Sequence, residues 1–473
     1  MWPEIRRPGV REPRPAPHRQ YVPAAAGDPG PATAASPWRW ARLYPGEPEA
    51  CRRDLYHFLP ILAHLALMLW VFREFRLEGK AFFNLVLLAL GVLPVHYLAP
   101  YRWKKPLFVA ASMAGLVWVF DLTTSATVLG MAALLVGVCY LPVAWMLRAG
   151  LVAAVAGLCA LARPGTGTLP GLSLVPTHVW PVVATMFMFR MIVYLYELKH
   201  AKRPEPLVDT LSYFFLLPNY CFLHFPVVDY RTMQRSYFAR DVHATMRTGL
   251  QMMFRGTTHL LLYRLVYHEL LIPAEEVHGL ASLGGFLVCN YLLYLRVSGQ
   301  FHMACGMLHL FGFGLPETHR HYLLASSFTD YWRRINIYWK DFMVRVVFNP
   351  VVFRLKRWPQ PVALAVATAV VFLTTWALHA YQSFWLRGTW GFGVPDALFW
   401  GVLGLLVLVN VQIDARRAPA RRARSTAPAS WRDRSLLVAQ TAGTFLTITL
   451  LWSLWSSPSL GAWLAMLARG MKI

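Results

Sequence analysis

An all-helical protein threaded many times through a membrane is what this sequence predicts, and three observations predict it. Apolar residues make up 56% of the 473 positions and charged residues only 15%, where a soluble domain carries about a quarter charged. Apolar runs recur from Leu55 to Leu454, several approaching the ~20 residues that span a ~30 Å hydrocarbon core. The net charge of +23 comes from 46 basic and 23 acidic residues, and the basic ones gather at the ends of apolar runs, as the positive-inside bias requires. That placement, with no nucleic-acid motif present, points to lipid headgroups and excludes a nucleic-acid partner.

The elements follow in order. Residues 1–53 form a Pro-, Ala- and Arg-rich arm with nine arginines; too polar to offset its ordering entropy, it is expected to be disordered and cytoplasmic. The first long apolar run starts near Leu55, too deep and too long for a cleavable signal. A transmembrane bundle is expected over 54–203, with spans at 55–72, 81–98, 107–122 and 126–147, a short one at 151–161, and another at 179–198. The basic segments 101–106 and 199–203, with Arg148, then fall on the side of the amino terminus.

A core region is expected over 204–412. It opens on an aromatic, Pro-punctuated interfacial stretch, followed by spans at 249–272 and 280–297. Residues 302–315 are apolar but short and glycine-broken, which predicts a re-entrant segment. Residues 327–357 alternate basic and apolar side chains at helical spacing, which predicts an interfacial amphipathic helix. Spans at 362–386 and 397–411, a cytoplasmic loop at 413–434 with seven arginines, and a last span within 435–473 complete a count of about eleven.

Six scattered cysteines without a CxxC pair argue against a disulfide framework or metal cluster. His302 and His309, and His319 and His321, miss the spacing of membrane di-iron boxes, so no metal is expected. His259, Arg264, His268 and Glu269 share one span and read as internal pairing, as do Arg190 and Asp121, both placed in the interior by their surroundings in sequence.

Two segments carry possible chemistry. One is Tyr331-Trp332-Arg333-Arg334-Ile335-Asn336-Ile337 and the other Thr374-Thr375-Trp376-Ala377-Leu378-His379-Ala380-Tyr381. An imidazole inside an apolar span is costly unless it is paired, wetted or functional. These segments and their order resemble the membrane-bound O-acyltransferases, whose bacterial members typically read Phe-Trp-Arg-Arg-Trp-His at the first. Tyr331, Ile335 and Asn336 depart from that pattern; Asn at the sixth place is found in the sterol and diacylglycerol branches. The second segment resembles the surroundings of the family's catalytic histidine, which falls on His379. The stretch from Phe214 to Tyr230 is similar to the family's Phe-Pro-rich approach to the core, with Phe225-Pro226 in place of Gly-Pro. The resemblance covers residues 207–390.

It implies helices around a central chamber and acyl transfer from a thioester to a hydroxyl of a polysaccharide, lipid or other acceptor. Histidine suits the base role because its ordinary pKa of about 6.5 lies near working pH, and an amide can donate to the oxyanion. His379 is thus expected as base and Asn336 as oxyanion or acyl-positioning group, against a plain packing amide. Arg333, Arg334 and Lys340, with Arg345, are candidates for the phosphates of acyl-CoA or an acyl-carrier thioester, against lipid headgroups; Asp341 is a candidate salt-bridge partner for them. Trp332, Trp376 and Tyr381 are further candidates for the donor and substrate site. No bound cofactor is expected; the thioester is a co-substrate. Membrane lipids, an acyl carrier and a polysaccharide-export system are the expected partners, and a bacterial inner membrane the expected location. The rival readings are a transporter or flippase, which would favour an internal repeat not seen here, and a non-catalytic scaffold. A polyprenyl-dependent glycosyltransferase is disfavoured by the short 73–80 loop.

Overall fold

The structure, a computed structural model, describes residues 41–163, 175–200, 205–222, 227–423 and 430–472. The arm before residue 41, the Gly/Pro loop at 164–174, the basic residues at 201–204, Phe225-Pro226 and residues 424–429 lie outside the described residues. Apart from a two-residue strand pair, Ala41–Arg42 (β1) with Arg53–Asp54 (β2), all described regular elements are helical. Among the described residues nine helices are long and apolar enough to cross a membrane.

The first half comprises α1 (Leu55–Glu74), α2 (Lys80–Leu98), α3 (Tyr101–Val119), α4 (Leu122–Tyr140), α5 (Trp145–Ala162) and α6 (Val179–Lys199). The 101–106 segment read as a basic connection is instead the opening of α3, and its charges serve α2. Lys104, almost fully buried, donates to the carbonyls of His96 (2.5 Å) and Tyr97 (2.8 Å), while buried Arg53 donates to those of Tyr97 (3.1 Å) and Ala99 (2.5 Å). Two cations thus satisfy the carbonyls and the negative dipole end that a helix carboxy terminus leaves open.

The single span expected at 126–147 is broken. Leu141 is extended (ψ 136°) because the following residue is Pro142, which disfavours helical backbone before it. Helix α5 starts at Trp145, and Arg148 reaches back to the carbonyls of Leu141 (2.8 Å) and Val143 (3.2 Å). Asp121, expected in the interior, is exposed: it caps α4, accepting from the Thr124 backbone N–H at 2.9 Å.

The second half begins with α7 (Leu207–Phe214), α8 (Tyr230–Ser236), α9 (Val242–Leu265), α10 (Gly279–Leu292) and α11 (Leu295–Leu310). Residues 302–310, expected to be re-entrant and glycine-broken, are continuous helix, and every residue from Ser298 to Phe313 is buried. Their glycines are contact points. Gly249 and Gly256 of α9 meet Gly306 and Gly299 of α11 in antiparallel register; a Cβ on Gly249 would lie 2.7 Å from the Gly306 carbonyl oxygen, and one on Gly256 2.8 Å from that of Gly299. Seven-residue spacing puts each glycine pair on one helix face two turns apart, so the two backbones approach as small-residue crossings in membranes do.

The last third contains α12 (Phe328–Ile335), α13 (Ile337–Met343), α14 (Asn349–Arg354), α15 (Gln360–Arg387), α16 (Val394–Ala423), α17 (Trp431–Trp455) and α18 (Leu460–Gly470). The amphipathic stretch expected as one helix is kinked at Asn336, whose backbone (φ −146°, ψ 84°) leaves α12 and starts α13. Helix α16 runs to Ala423, into the segment expected as a loop, in keeping with the strong helix preference of its Ala and Arg residues. One contiguous apolar core joins α1–α4 and α6 to α9, α11 and Tyr338 of α13, so the packing is continuous across residue 204.

Candidate active site

Helix α15 begins at Gln360, with Pro361 in its first turn where a missing N–H costs nothing, and stops at Gly388, which takes the left-handed backbone (φ 85°). His379 sits in its last third, half-buried. Its ring stacks on Trp400 of α16 (centroids 4.7 Å apart, planes 29°), meets Trp455 of α17 edge-on (6.1 Å, 88°) and lies 5.5 Å from Trp339 of α13. Tryptophans from three helices therefore surround the imidazole within the protein.

Asn336 comes to the same place through Trp339. Its Oδ1 accepts from the Trp339 backbone N–H at 3.1 Å, the side-chain bond that caps a helix amino terminus. Trp339 is then held edge-on against Phe189 of α6 (5.1 Å) and tilted against Phe342 (5.4 Å). Trp332 packs on Phe372 of α15 at 4.7 Å, two turns before His379. Tyr381 meets Phe189 at 6.3 Å, and Trp376 meets Phe392 at 5.4 Å with its indole N–H unpartnered.

The basic residues expected at donor phosphates are mostly engaged with carboxylates. Arg334 pairs with Asp330 at 2.7 Å and Lys340 with Asp341. Arg345 bridges Glu197 of α6 and Asp229 ahead of α8, and Arg231 adds a second bond to Glu197 at 2.6 Å. Arg333 is half-buried on α12. Burial opposes ionisation of Asp229, but its hydrogen bonds with Glu197 and Thr232 and the charge of Arg345 outweigh it and hold the carboxyl below its ordinary value. Such a depressed group contributes stability above the unfolded-state pKa and loses it as pH falls through the folded one. Arg345→Met leaves the buried Glu197 and half-buried Asp229 carboxylates facing each other, so it is expected to lower the stability of the solubilised protein by about 3 kcal/mol, the low end for a broken buried pair because Arg345 and Asp229 are partly exposed. The loss should shrink in thermal unfolding runs as pH falls and the carboxylates protonate; a pH-independent loss would contradict the account.

Two cavities flank this region. The larger, about 730 Å³ including its mouth, is lined by Val193 and Tyr196 of α6, Asp229, Tyr338, Phe342 and Arg345 among others. The smaller, about 270 Å³, is lined by Thr185, Met188, Phe189 and Arg190 of α6, by Val227 and by Gln382, three residues beyond His379 on α15. Val227 borders both. Both cavities border α6, and Gln382 of the smaller one lies one helical turn from His379.

Sequence reasoning did not find Trp400 and Trp455, which lie on other helices and carry no local signal. Nor did it assign Arg190 a partner: that buried guanidinium donates to the Tyr213 carbonyl (3.2 Å) and Asn219 Oδ1 (2.7 Å). Asn219 Nδ2 in turn donates to the Phe214 carbonyl at 3.0 Å, and Thr185 Oγ1 to the Asn219 carbonyl at 3.1 Å. The Phe-Pro-rich segment leaves helical backbone at full burial, and these side chains supply hydrogen bonds the backbone there lacks. The fold also gathers His302 with His259 (5.3 Å) and His319 (5.7 Å), although both His319 nitrogens are occupied by Tyr294 and Thr318. Among the described residues no group of three metal-ligating side chains could hold an ion.

Compared with known families and with curated proteins, the chain matches no family model and none of the curated proteins.

Proposed function

We propose that this chain is a membrane O-acyltransferase that moves an acyl group from a thioester donor to the hydroxyl of a polysaccharide, lipid or other acceptor. The single observation that carries the reading is His379, held by Trp339, Trp400 and Trp455, linked through Trp339 to Asn336, and one helical turn from Gln382 at the smaller cavity. His379 takes the proton of the acceptor hydroxyl as it attacks the thioester carbonyl. Asn336 fixes the first turn of α13 and so positions the groups around the imidazole. The larger cavity admits the acyl-CoA or acyl-carrier arm. Helices α3 (19 residues) and α9 (24 residues) add to the nine apolar spans to give eleven, arranged about that chamber. The protein then resides in a bacterial inner membrane, amino terminus cytoplasmic, with lipids and a polysaccharide-export system as partners.

The test is incubation of the reconstituted protein with radiolabelled acyl-CoA, following free thiol and labelled ester. Thioester cleavage coupled to ester formation is expected; movement of label across the membrane without cleavage would establish the transporter reading instead. Asn336→Ala is expected to lower kcat by about 10- to 100-fold through a displaced Trp339, and to destabilise the protein by about 1 kcal/mol, the usual cost of a lost helix cap. Asn336→Asp keeps the capping oxygen and should recover most of the stability; equal stability losses in both variants would contradict the capping role.

A further inference from the structure

Resting on that acyltransferase reading, we infer that the indole N–H of Trp339 is the hydrogen-bond donor to the thioester carbonyl at the His379 site. An indole nitrogen can only donate, and buried indoles normally find an acceptor. Trp339 is 8% exposed, and its Nε1 has no acceptor among the described residues. The contrast with its neighbour is direct: Trp455, which also borders His379, gives its N–H to Asp396 Oδ1 at 2.8 Å. Trp145 and Trp463 are likewise satisfied, by the Leu195 carbonyl (2.8 Å) and Ser453 Oγ (2.9 Å).

Other indoles in this protein lack an acceptor too, and geometry separates them. Trp376 makes its ring contact with Phe392 rather than with His379. Trp400 stacks on the imidazole at 29° with centroids 4.7 Å apart, so its ring face is taken up by that contact. Trp339 is inclined at 54° with ring centroids 5.5 Å apart, so of the three indoles at the imidazole it is the one neither stacked on the ring nor already bonded to an acceptor among the described residues. Its backbone is fixed by Asn336 and its ring by Phe189, which lines the smaller cavity, while its neighbour Tyr338 lines the larger. A donor locked in place by its surroundings costs no reorganisation when charge develops. Asn336, whose Oδ1 is committed to the cap, is on this account a positioning residue that acts through Trp339.

The step balances as follows. His379 accepts the acceptor's hydroxyl proton, and the oxygen forms a bond to the thioester carbon. The carbonyl π pair moves to oxygen, where the Trp339 N–H stabilises it. Collapse restores C=O, breaks the C–S bond, and the leaving thiolate takes the proton from His379. No other reactant is required.

The experiment uses the full chain in lipid nanodiscs with acetyl-, octanoyl- and palmitoyl-CoA, measuring thiol release and ester formation for wild type, Trp339→Phe, Trp400→Phe and His379→Ala. Trp339→Phe keeps the aromatic packing and removes only the donor. Its kcat is expected to fall about 100- to 1,000-fold, the usual loss for one oxyanion donor, with KM within about threefold of wild type. Trp400→Phe keeps a ring stacked on the imidazole and leaves the Trp339 donor in place, so its kcat should fall less than that of Trp339→Phe. If Trp339→Phe does not fold, benzothienylalanine at position 339, which replaces N–H by sulfur in the same shape, decides the question: a comparable kcat loss supports the donor and an unchanged kcat overturns it. Inactive His379→Ala beside Trp339→Phe at wild-type kcat sinks this inference alone. Active His379→Ala, or a wild type that cleaves none of the thioesters, sinks the acyltransferase reading and this inference with it.

Discussion

His379→Gln is expected to lower kcat for thioester-to-hydroxyl transfer by about 1,000- to 10,000-fold, toward the upper end for loss of a general base. Glutamine approximates the volume and keeps a polar tip, but it cannot accept and return a proton near neutral pH. The ring packs against Trp339, Trp400 and Trp455, and a glutamine keeps part of that packing. The fold should therefore survive, with the unfolding temperature within a few degrees of wild type. KM for the donor should change little, because the lost interaction belongs to the transition state and not to ground-state binding. A variant with normal stability and transfer within tenfold of wild type would show that another group takes the proton.

The largest expected effect on stability is at the glycine crossing of α9 and α11. A Cβ on Gly306 would stand 2.5 Å from Met253 Cγ and 2.6 Å from the Gly249 carbonyl oxygen. The second neighbour is backbone and cannot rotate away, so the helices must separate. Separation opens gaps along a buried seam where dispersion and close backbone approach hold the pair. Gly306→Ala is expected to cost about 3 kcal/mol, the top of the usual range for overpacking, and Gly306→Leu to abolish recovery of monodisperse protein in detergent. Gly285 of α10 is the control, because an added Cβ there meets nothing within 4 Å. Gly285→Ala should be neutral or stabilising by up to about 1 kcal/mol through helix propensity. Fluorescence-detected size-exclusion after a heat step would read all three; equal behaviour of Gly306→Ala and Gly285→Ala would contradict the close crossing.

What the sequence disclosed depended on whether the determining signal was local. Long apolar runs and their basic ends are local, and the apolar helices fall where those runs lie. The break at Leu141 was also legible, from Pro142, but the continuous hydrophobicity on either side concealed it. Gly299 and Gly306 were ambiguous: glycine in a helix signals a break or a close contact, and only the partner glycines on α9, some 50 residues away, decide between them. Asp121 stands among apolar residues in sequence yet at a helix end in space, where capping and water favour a carboxylate. At the site, His379 and Asn336 were reached by motif resemblance, and Trp339 is the contact that brings them together. Trp400 and Trp455 come from later helices whose packing no local pattern encodes. The carboxylates that engage Arg334 and Lys340 are close in sequence, at Asp330 and Asp341, and only Asp341 was weighed; Glu197 and Asp229, which engage Arg345, are more than 100 residues distant.

The central claim is that a thioester reaches His379 from inside the protein. An experimental structure with a non-hydrolysable thioether analogue of palmitoyl-CoA tests it most directly. The account predicts the analogue's sulfur within about 4 Å of the imidazole, near-attack range, with its pantetheine arm in the larger cavity beside Asp229 and Arg345. Saturating analogue found only at the protein surface, away from His379, would contradict it.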